Sequence, residues 1–201
     1  MSKEEGGCTD MKFELVKKDQ FERDFADAYT HYNLGLAIDE TYNSSNIGNR
    51  DLRIQYLADS IYHSLKKPRR GTIGSAGYDF FYPRELRIPE QTTVKIPTGI
   101  AWNPETKEHQ FVLSLYPRSS LGIKYSLREP NLVSIIDSDY YGCDQNGGHI
   151  FVYLRNEGHN GTCIIKPNTA YCQGVISIFY IVDDDDAQNT RTGGIGSTTK
   201  I

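Results

Sequence analysis

The sequence predicts an all-β fold, a barrel or jelly roll, with a helical segment near the N-terminus. Short apolar runs, rich in Val, Ile, Phe and Tyr, fill the chain from Gly71 onwards. Gly, Pro and Asn separate these runs at short intervals. This pattern is typical of strands joined by turns, whereas a βαβ fold places helix-length segments between its strands. The runs cover residues 94–100, 111–116, 132–136, 150–154, 163–165 and 175–182.

The helical segment is predicted from two apolar stripes with the spacing of amphipathic helices. The stripes consist of Phe21, Phe25, Ala28 and Tyr32, and of Ile54, Leu57, Ile61 and Leu65. A polar stretch at residues 42–49 separates them, and an apolar strand candidate at residues 11–16 precedes them. We therefore expect a helical hairpin within residues 20–65 of a single domain that spans residues 1–201.

The overall charge argues against two classes of partner. The chain has 22 Lys and Arg against 26 Asp and Glu, a formal net charge of −4 at pH 7. Neither a nucleic acid nor a membrane surface is therefore an expected partner.

The sequence shows no signal peptide and no apolar stretch of transmembrane length, and none of its four cysteines forms a C-x-x-C pair. We expect a cytoplasmic protein with free thiols.

Two carboxylates follow the apolar run at residues 132–136. Asp137 and Asp139 stand in the segment IDSDYYG, where a strand is predicted to end. Such a pair can place one carboxylate against a water molecule as a general base while hydrogen bonds hold the other. An acidic pair at a turn also occurs for purely structural reasons, so the pair alone leaves both interpretations open.

Two further segments have the chemistry of phosphate sites. Arg118, Ser119 and Ser120 follow a predicted strand, and one guanidinium with two hydroxyls suits phosphate oxygens. Near the C-terminus Arg191 precedes a glycine-rich stretch whose backbone N–H groups can approach an anion closely. The alternative interpretation is a surface turn for the Arg118 segment and a disordered tail for the Arg191 segment. We expect residues 187–201 to be a flexible tail when no ligand is bound.

Five segments in this order resemble the five motifs of the trimeric dUTPase family. They are residues 75–79, 117–124, 131–142, 172–176 and 191–198, and the resemblance covers about two-thirds of the chain, from Pro68 onwards. It implies a distorted jelly-roll β-barrel, a homotrimer and hydrolysis of dUTP to dUMP and pyrophosphate. The hairpin after Gly142 is longer than in the commonest members, which resembles dUTPases of Gram-positive bacteria and their phages.

The third motif carries the catalytic and nucleoside-binding residues that the resemblance implies. Asp137 matches the residue that orients and deprotonates the water attacking the α-phosphorus, and Asp139 matches the second acid, interpreted as structural. Tyr140 matches the tyrosine that stacks on the deoxyribose and leaves no space for a 2′-hydroxyl. Asn131 matches the uracil-contacting asparagine, and Gly142 at the end of the motif is a further substrate-binding candidate.

The other motifs are implied to bind the triphosphate and its metal ion. Phosphate contacts are implied for Arg118, Ser119, Ser120, Gln173 and Arg191. Arg191 resembles the arginine that grips the γ-phosphate. Asp79 matches an aspartate near the hydrated Mg²⁺ and is expected to reach the ion through water, because Mg²⁺ takes most of its ligands from phosphate oxygens and water. The family's active sites lie among motifs of neighbouring subunits.

Three departures from the family pattern carry expectations. Ile195 stands where the common pattern has an aromatic residue that closes over the uracil. Either Ile195 covers the base more weakly, or an aromatic residue from elsewhere, Phe151 or Tyr141, covers it, and we favour the second alternative. Ser134 replaces the glycine that usually precedes the motif-three acid. His149, in the longer hairpin, is expected to be a polar edge-strand residue.

The helical segment at residues 20–65 lies outside the common family core and is expected to be an insertion. It either adds packing on the outside of the trimer or forms a docking surface for a regulatory protein.

Two alternative functions stay open at the sequence level. dCTP deaminase shares the fold but uses a glutamate on the strand after its third motif, and the matching residues 150–154 hold no carboxylate. A nucleotide-sensing or partner-binding module with weak catalysis is favoured only by Ile195 and the helical segment.

Overall fold

The computed structural model describes residues 11–31, 34, 36, 49–105, 110–189, 191 and 193–194. In chain order the described elements are β1 (Lys12–Leu15), α1 (Lys18–His31), α2 (Arg50–Tyr62), β2 (Arg69–Arg70), β3 (Gly77–Phe81), β4 (Leu86–Ile88), β5 (Thr93–Pro97), β6 (Ile100–Asn103), β7 (Phe111–Pro117), α3 (Ser119–Tyr125), β8 (Leu127–Arg128), β9 (Ser134–Asp137), a 3₁₀ turn (Ser138–Tyr140), β10 (Phe151–Asn156), β11 (Cys163–Ile165) and β12 (Ala170–Ile178). Within these residues, no helix has the length and apolar character needed to cross a membrane.

The predicted helical pair is present as α1 and α2. On α1 the stripe of Phe21, Phe25 and Ala28 is buried as expected, whereas Tyr32 lies outside the described residues. Asn49 caps α2 by accepting a hydrogen bond from the backbone N–H of Asp51 at 2.9 Å, which satisfies a donor that the helix leaves unpaired. Whether this pair is an insertion into a common domain stays a prediction.

The buried face of α2 differs by one position from the predicted stripe. Ile54, Ala58 and Ile61 are buried, while Leu57 is only partly so. Leu65 lies beyond the end of the helix and packs against Gly99, whose φ is 72°. A Cβ on Gly99 would lie 2.2 Å from Leu65 Cδ1, so this contact requires glycine in addition to the left-handed backbone. The spacing predicted the helix correctly but extended it too far.

The strands form four antiparallel sheets among the described residues. The largest has the order β2-β3-β12-β7-β9, and a second has the order β5-β10-β8. Two pairs, β1 with β6 and β11 with β4, complete the set. Among the described residues the architecture is therefore dominated by β-sheet, as the spacing of the apolar runs predicts. Side chains alternate along β10, where Val152, Leu154 and Asn156 point inward.

The register of the five-stranded sheet decides where the motifs lie. β9 pairs with β7 so that Asp137 lies opposite Val112. β12 pairs with the other edge of β7 and with β3, which places Gln173 opposite both Tyr116 and Asp79. The third motif thus joins one end of β7, and the first, second and fourth motifs meet near its other end.

Candidate active site

Asp137 and Asp139 share one guanidinium. Asp137 ends β9, and Asp139 lies in the 3₁₀ turn that follows. Arg191 donates from Nη2 to Asp137 Oδ2, and from Nε to Asp139 Oδ1 at 2.8 Å. The segment after β12 therefore returns to the third motif within the same chain. The arrangement neutralises part of the charge of two adjacent carboxylates.

The environment of Asp137 makes it a better base than a solvated aspartate. Burial raises the pKa of its carboxyl group, the Arg191 guanidinium lowers it, and the neighbouring Asp139 raises it again. The net direction is upward, towards the pH at which a general base works best. Asp139 keeps Arg191 in place, which agrees with the structural role implied for it.

The side chain of Tyr140 is held in a fixed orientation. Its hydroxyl donates to the backbone carbonyl of His149 at 2.8 Å and accepts from Asn146 Nδ2 at 2.8 Å. Burial raises the pKa of Tyr140 to about 12, so the hydroxyl stays protonated. The Arg191 guanidinium lies 6.0 Å from the centre of its ring. Two hydrogen bonds and a charged neighbour thus fix the orientation of the ring.

A cavity of about 310 Å³ lies beside these residues. It is lined by Asn131, Val133, Ser134, Ile135, Ile136, Asp137, Tyr140, Phe151 and Arg191. Its volume is at the lower end of the roughly 300–1,000 Å³ that small-molecule sites occupy. The structure therefore brings together the residues expected to contact uracil, deoxyribose and the attacking water.

The two candidates for covering the base lie in different places. Phe151 lines the cavity, whereas the Tyr141 hydroxyl donates to Glu14 and Tyr141 faces a neighbouring cleft. Gly142, with a φ of 72°, lies on that cleft and does not line the cavity. Ile195 lies outside the described residues.

The implied phosphate residues form a second cluster. Arg118 Nη1 donates to Asp79 Oδ1 at 2.6 Å, and Gln173 is the register partner of Asp79. The backbone at Gly77 approaches Gln173 so closely that a Cβ there would lie 2.8 Å from Oε1. Ser119 and Ser120 begin α3 and are exposed. The cluster offers a guanidinium, an amide and two hydroxyls to an anion.

The two clusters lie at opposite ends of β7. Asp137 pairs with Val112, and Arg118 stands six residues further along the chain, roughly 20 Å at the rise of an extended strand. One chain therefore does not bring Arg118 close to Asp137.

Glu129 is a buried carboxylic acid that no motif in the sequence indicates. It is 1% exposed, and its Oε2 accepts from the Ser134 hydroxyl. Burial raises its pKa to about 7, and Ser134 opposes the rise. The serine that replaces the family's glycine thus has a partner five residues earlier. That replacement was the signal in the sequence, but nothing there indicates that Glu129 is buried.

The expectation for His149 is wrong. It is fully buried just before β10 and contacts Asp24 of α1, so it is neither exposed nor at an edge. Nearby, the chain turns at Asn146-Gly147, with Gly147 at a φ of 68°. The turn buries the Asn146 side chain, whose Oδ1 accepts from the backbone of Gly148 at 3.1 Å.

The comparison with known families decides the assignment. The sequence pattern of the dUTPase family matches residues 63–199. The chain belongs to the dUTPase family. The match starts after α2, so α1, α2 and β1 precede it.

Individual dUTPases are similar to a large part of the chain. The deoxyuridine 5′-triphosphate nucleotidohydrolase of Lactococcus lactis subsp. lactis (strain IL1403) is 37% identical over 140 residues, which are 65% of this chain and 86% of that protein. The enzyme of the same name from Tolumonas auensis is 32% identical over 157 residues, covering 74% and 97%.

Solved dUTPase structures agree with this assignment. The crystal structure of dUTPase from Streptococcus mutans superposes with a TM-score of 0.52 at 31% identity and covers 61% of this chain and 96% of that one. The dUTPase from phage phi11 of S. aureus has a TM-score of 0.50 at 19% identity, with 64% and 93% covered, which shows a likeness of fold. The resemblance to dUTPases of Gram-positive bacteria is thereby confirmed, and the likeness to the phage enzyme is one of fold.

Proposed function

We propose that this chain hydrolyses dUTP to dUMP and pyrophosphate. The observation that carries the proposal is the single cavity lined by Asn131, Asp137, Tyr140 and Arg191. These four side chains have the chemistry that base recognition, water activation, sugar discrimination and phosphate binding require. Membership of the dUTPase family supports the same reaction.

Asp137 is the general base in this proposal. Its carboxylate accepts a proton from a water molecule as the water oxygen bonds to the α-phosphorus. The bond between the α-phosphorus and the bridging oxygen then breaks, and pyrophosphate leaves with that oxygen. Arg191 contacts Asp137 in the described structure. When substrate is bound, the Arg191 guanidinium contacts the γ-phosphate instead in this proposal.

The nucleoside end of the cavity provides selectivity. Tyr140 places its fixed ring against the deoxyribose, so a 2′-hydroxyl would collide with it. Asn131 offers its side-chain amide to the uracil. A base with a different pattern of donors and acceptors would leave this amide without a hydrogen-bond partner, which disfavours its binding. Phe151, which lines the same cavity, covers the base in place of the aromatic residue that Ile195 replaces.

The donor groups fit Mg²⁺ that is bound mainly through substrate. No group of three or more His, Cys, Asp or Glu side chains within the described ranges could hold a metal ion alone. Asp79 is oriented by Arg118 and is 13% exposed, so its carboxylate can accept hydrogen bonds from water on a hydrated ion. When bound, Mg²⁺ neutralises charge on the triphosphate oxygens.

We further propose a homotrimer whose sites combine residues of two or more subunits. The separation of Arg118 from Asp137 along β7 supports this, because one triphosphate has to reach both clusters. A second support is the exposed apolar run at residues 178–182, which includes Tyr180 at 91% exposure. Such a patch is typical of an interface between subunits. In this assembly the four sheets form the distorted jelly roll of the family.

Two further expectations stay predictions. Cys143, Cys163 and Cys172 have free thiols, which agrees with a cytoplasmic location. A regulatory protein that docks on α1 and α2 stays a prediction as well.

The reaction is tested by proton release on mixing the protein with dUTP, dCTP, dTTP or UTP in Mg²⁺. We expect release with dUTP alone and a loss of roughly 10³-fold in Asp137→Asn. Asp144→Asn, an exposed aspartate of the neighbouring hairpin, is the matched control. Ammonia release from dCTP would indicate a deaminase instead, and tight dUTP binding without turnover would indicate a sensing module.

A further inference from the structure

A buried histidine connects α1 to the hairpin that follows the third motif. His149 is fully buried, and its Nδ1 lies 2.6 Å from Oδ2 of Asp24 on α1. The backbone N–H of Gly99 donates to His149 Nε2 at 2.8 Å. Since Nε2 accepts this bond, the ring proton is on Nδ1 and is donated to Asp24. Asp24 is also held by Gln20, which donates to Oδ2 at 2.9 Å.

The same histidine contacts two walls of the substrate cavity. Its backbone carbonyl accepts the hydrogen bond from Tyr140. Its ring lies 4.6 Å from the ring of Phe151, measured between centroids. Tyr140 and Phe151 both line the cavity. A displacement of His149 would therefore move both Tyr140, which is proposed to contact the deoxyribose, and Phe151, which is proposed to cover the base.

A second carboxylate of α1 supports Phe151 from the other side. Asp27 Oδ2 lies 3.0 Å from Lys95 Nζ of β5. The same Lys95 Nζ lies 4.5 Å from the centre of the Phe151 ring. Phe21 of α1 also packs against His149, with 6.0 Å between ring centroids. Helix α1 thus contacts His149 and Lys95, which in turn contact Tyr140 and Phe151 at the nucleoside end of the site, although α1 precedes the residues that match the family.

We propose that Asp24 is a positioning residue, which acts through His149 to hold Tyr140 and Phe151 in the geometry that selects a deoxyribonucleoside. This inference rests on the proposed dUTP hydrolysis and deepens it. It assigns to α1 a part in substrate selectivity in addition to packing. The protonated Nδ1 of a neutral imidazole needs an acceptor at this position, and it does not need a charged one.

The proposal is tested by comparing Asp24→Ala with Asp24→Asn. Loss of the acceptor in Asp24→Ala raises KM for dUTP roughly tenfold, with a smaller change in kcat. It also lowers the preference for dUTP over UTP, measured as the ratio of kcat/KM values. Asp24→Asn keeps an acceptor oxygen and restores both quantities. Asp19→Ala is the matched control, because Asp19 is on the same helix in an exposed pair with Arg23.

Two kinetic results would overturn the inference. One is a folded Asp24→Ala enzyme with unchanged KM and unchanged selectivity. The other is a fall in kcat alone with the same preference for dUTP, which would indicate only a general loss of structure. A wild-type protein that does not hydrolyse dUTP would instead refute the proposed function.

A measurement on the wild-type protein covers the case in which Asp24→Ala does not fold. With ¹⁵N-labelled histidine, His149 should show a protonated Nδ1 and an unprotonated Nε2, and both signals should shift when dUMP binds. Signals that do not respond to saturating dUMP, or a proton on Nε2, would contradict the connection between His149 and the cavity.

Discussion

Arg191 donates a hydrogen bond to Asp137, 54 residues earlier in the chain. The same guanidinium binds Asp139. Burial raises the pKa of Asp137, and Arg191 acts against that rise. The segment after β12 therefore influences the protonation of the residue proposed as the general base, in addition to offering a cation to phosphate.

The Arg191 contact predicts a shift in the pH profile. Asp137 has to be deprotonated to act as a base, and without the guanidinium its pKa rises further. In Arg191→Ala the acidic limb of kcat/KM should move to higher pH, and the plateau should fall roughly 10²-fold. Steady-state kinetics with dUTP across the acidic range measures both. Arg128→Ala is the control, because Arg128 pairs with Glu157 on the surface. An acidic limb that does not move would show that Arg191 does not influence Asp137.

Tyr140 allows its ring and its hydroxyl to be tested separately. Tyr140→Phe removes one hydrogen bond from the buried carbonyl of His149 and one from the Asn146 amide, and leaves only the longer bond of 3.4 Å between these two groups. We expect a loss of about 1–2 kcal/mol in the free energy of unfolding, measured by denaturant titration. Rejection of UTP should largely persist in Tyr140→Phe and disappear in Tyr140→Ala. Tyr56→Phe, at a side chain 64% exposed, should change neither quantity. Equal UTP rejection in both Tyr140 variants would contradict the steric role.

Glu129 predicts a pH dependence of stability. Its pKa in the folded protein is raised from 4.5 to about 7, so the folded state binds the proton more tightly than the unfolded state. The contribution of protonated Glu129 to the stability of the folded state is complete below pH 4.5 and is lost as the pH rises through 7. Relative to Glu129→Gln, the wild type should lose roughly 3 kcal/mol of unfolding free energy over that interval, at 1.36 kcal/mol per pKa unit. Parallel stability curves for the two proteins would refute this.

The shared site predicts complementation between two inactive variants. Asp137→Asn lacks the base, and Arg118→Ala lacks the phosphate contact at the other end of β7. After joint refolding at equal amounts, about a quarter of the sites in randomly mixed trimers should combine intact Asp137 with intact Arg118. Activity in the mixture, absent from each variant refolded alone, is the expected result. An inactive mixture of confirmed mixed trimers would place both residues of a site on one chain.

The resemblance to the family motifs, more than local pattern, predicted the residues that line the cavity. Asp137, Tyr140 and Asn131 stand in one short segment, and the strand before them is evident from its apolar residues, so their common cavity could be expected. The contact of Asp24 with His149 joins residues 125 positions apart. Nothing in the spacing around His149 indicates that a helix covers it.

Burial of polar groups was the other feature that local pattern could not supply. Glu129 lies in a polar stretch, REPN, yet the fold buries it. On α2, Ala58 is buried and Leu57 only partly buried, so the buried face includes a small residue that the predicted stripe omits.

The most direct test is hydrolysis of dUTP in H₂¹⁸O with Mg²⁺, followed by mass analysis of both products. Attack of an Asp137-activated water on the α-phosphorus predicts one ¹⁸O in dUMP, none in pyrophosphate, and no turnover of UTP under the same conditions. Label in pyrophosphate would place the attack on the β-phosphorus. That result, or unreacted dUTP, would contradict the proposed reaction at this site.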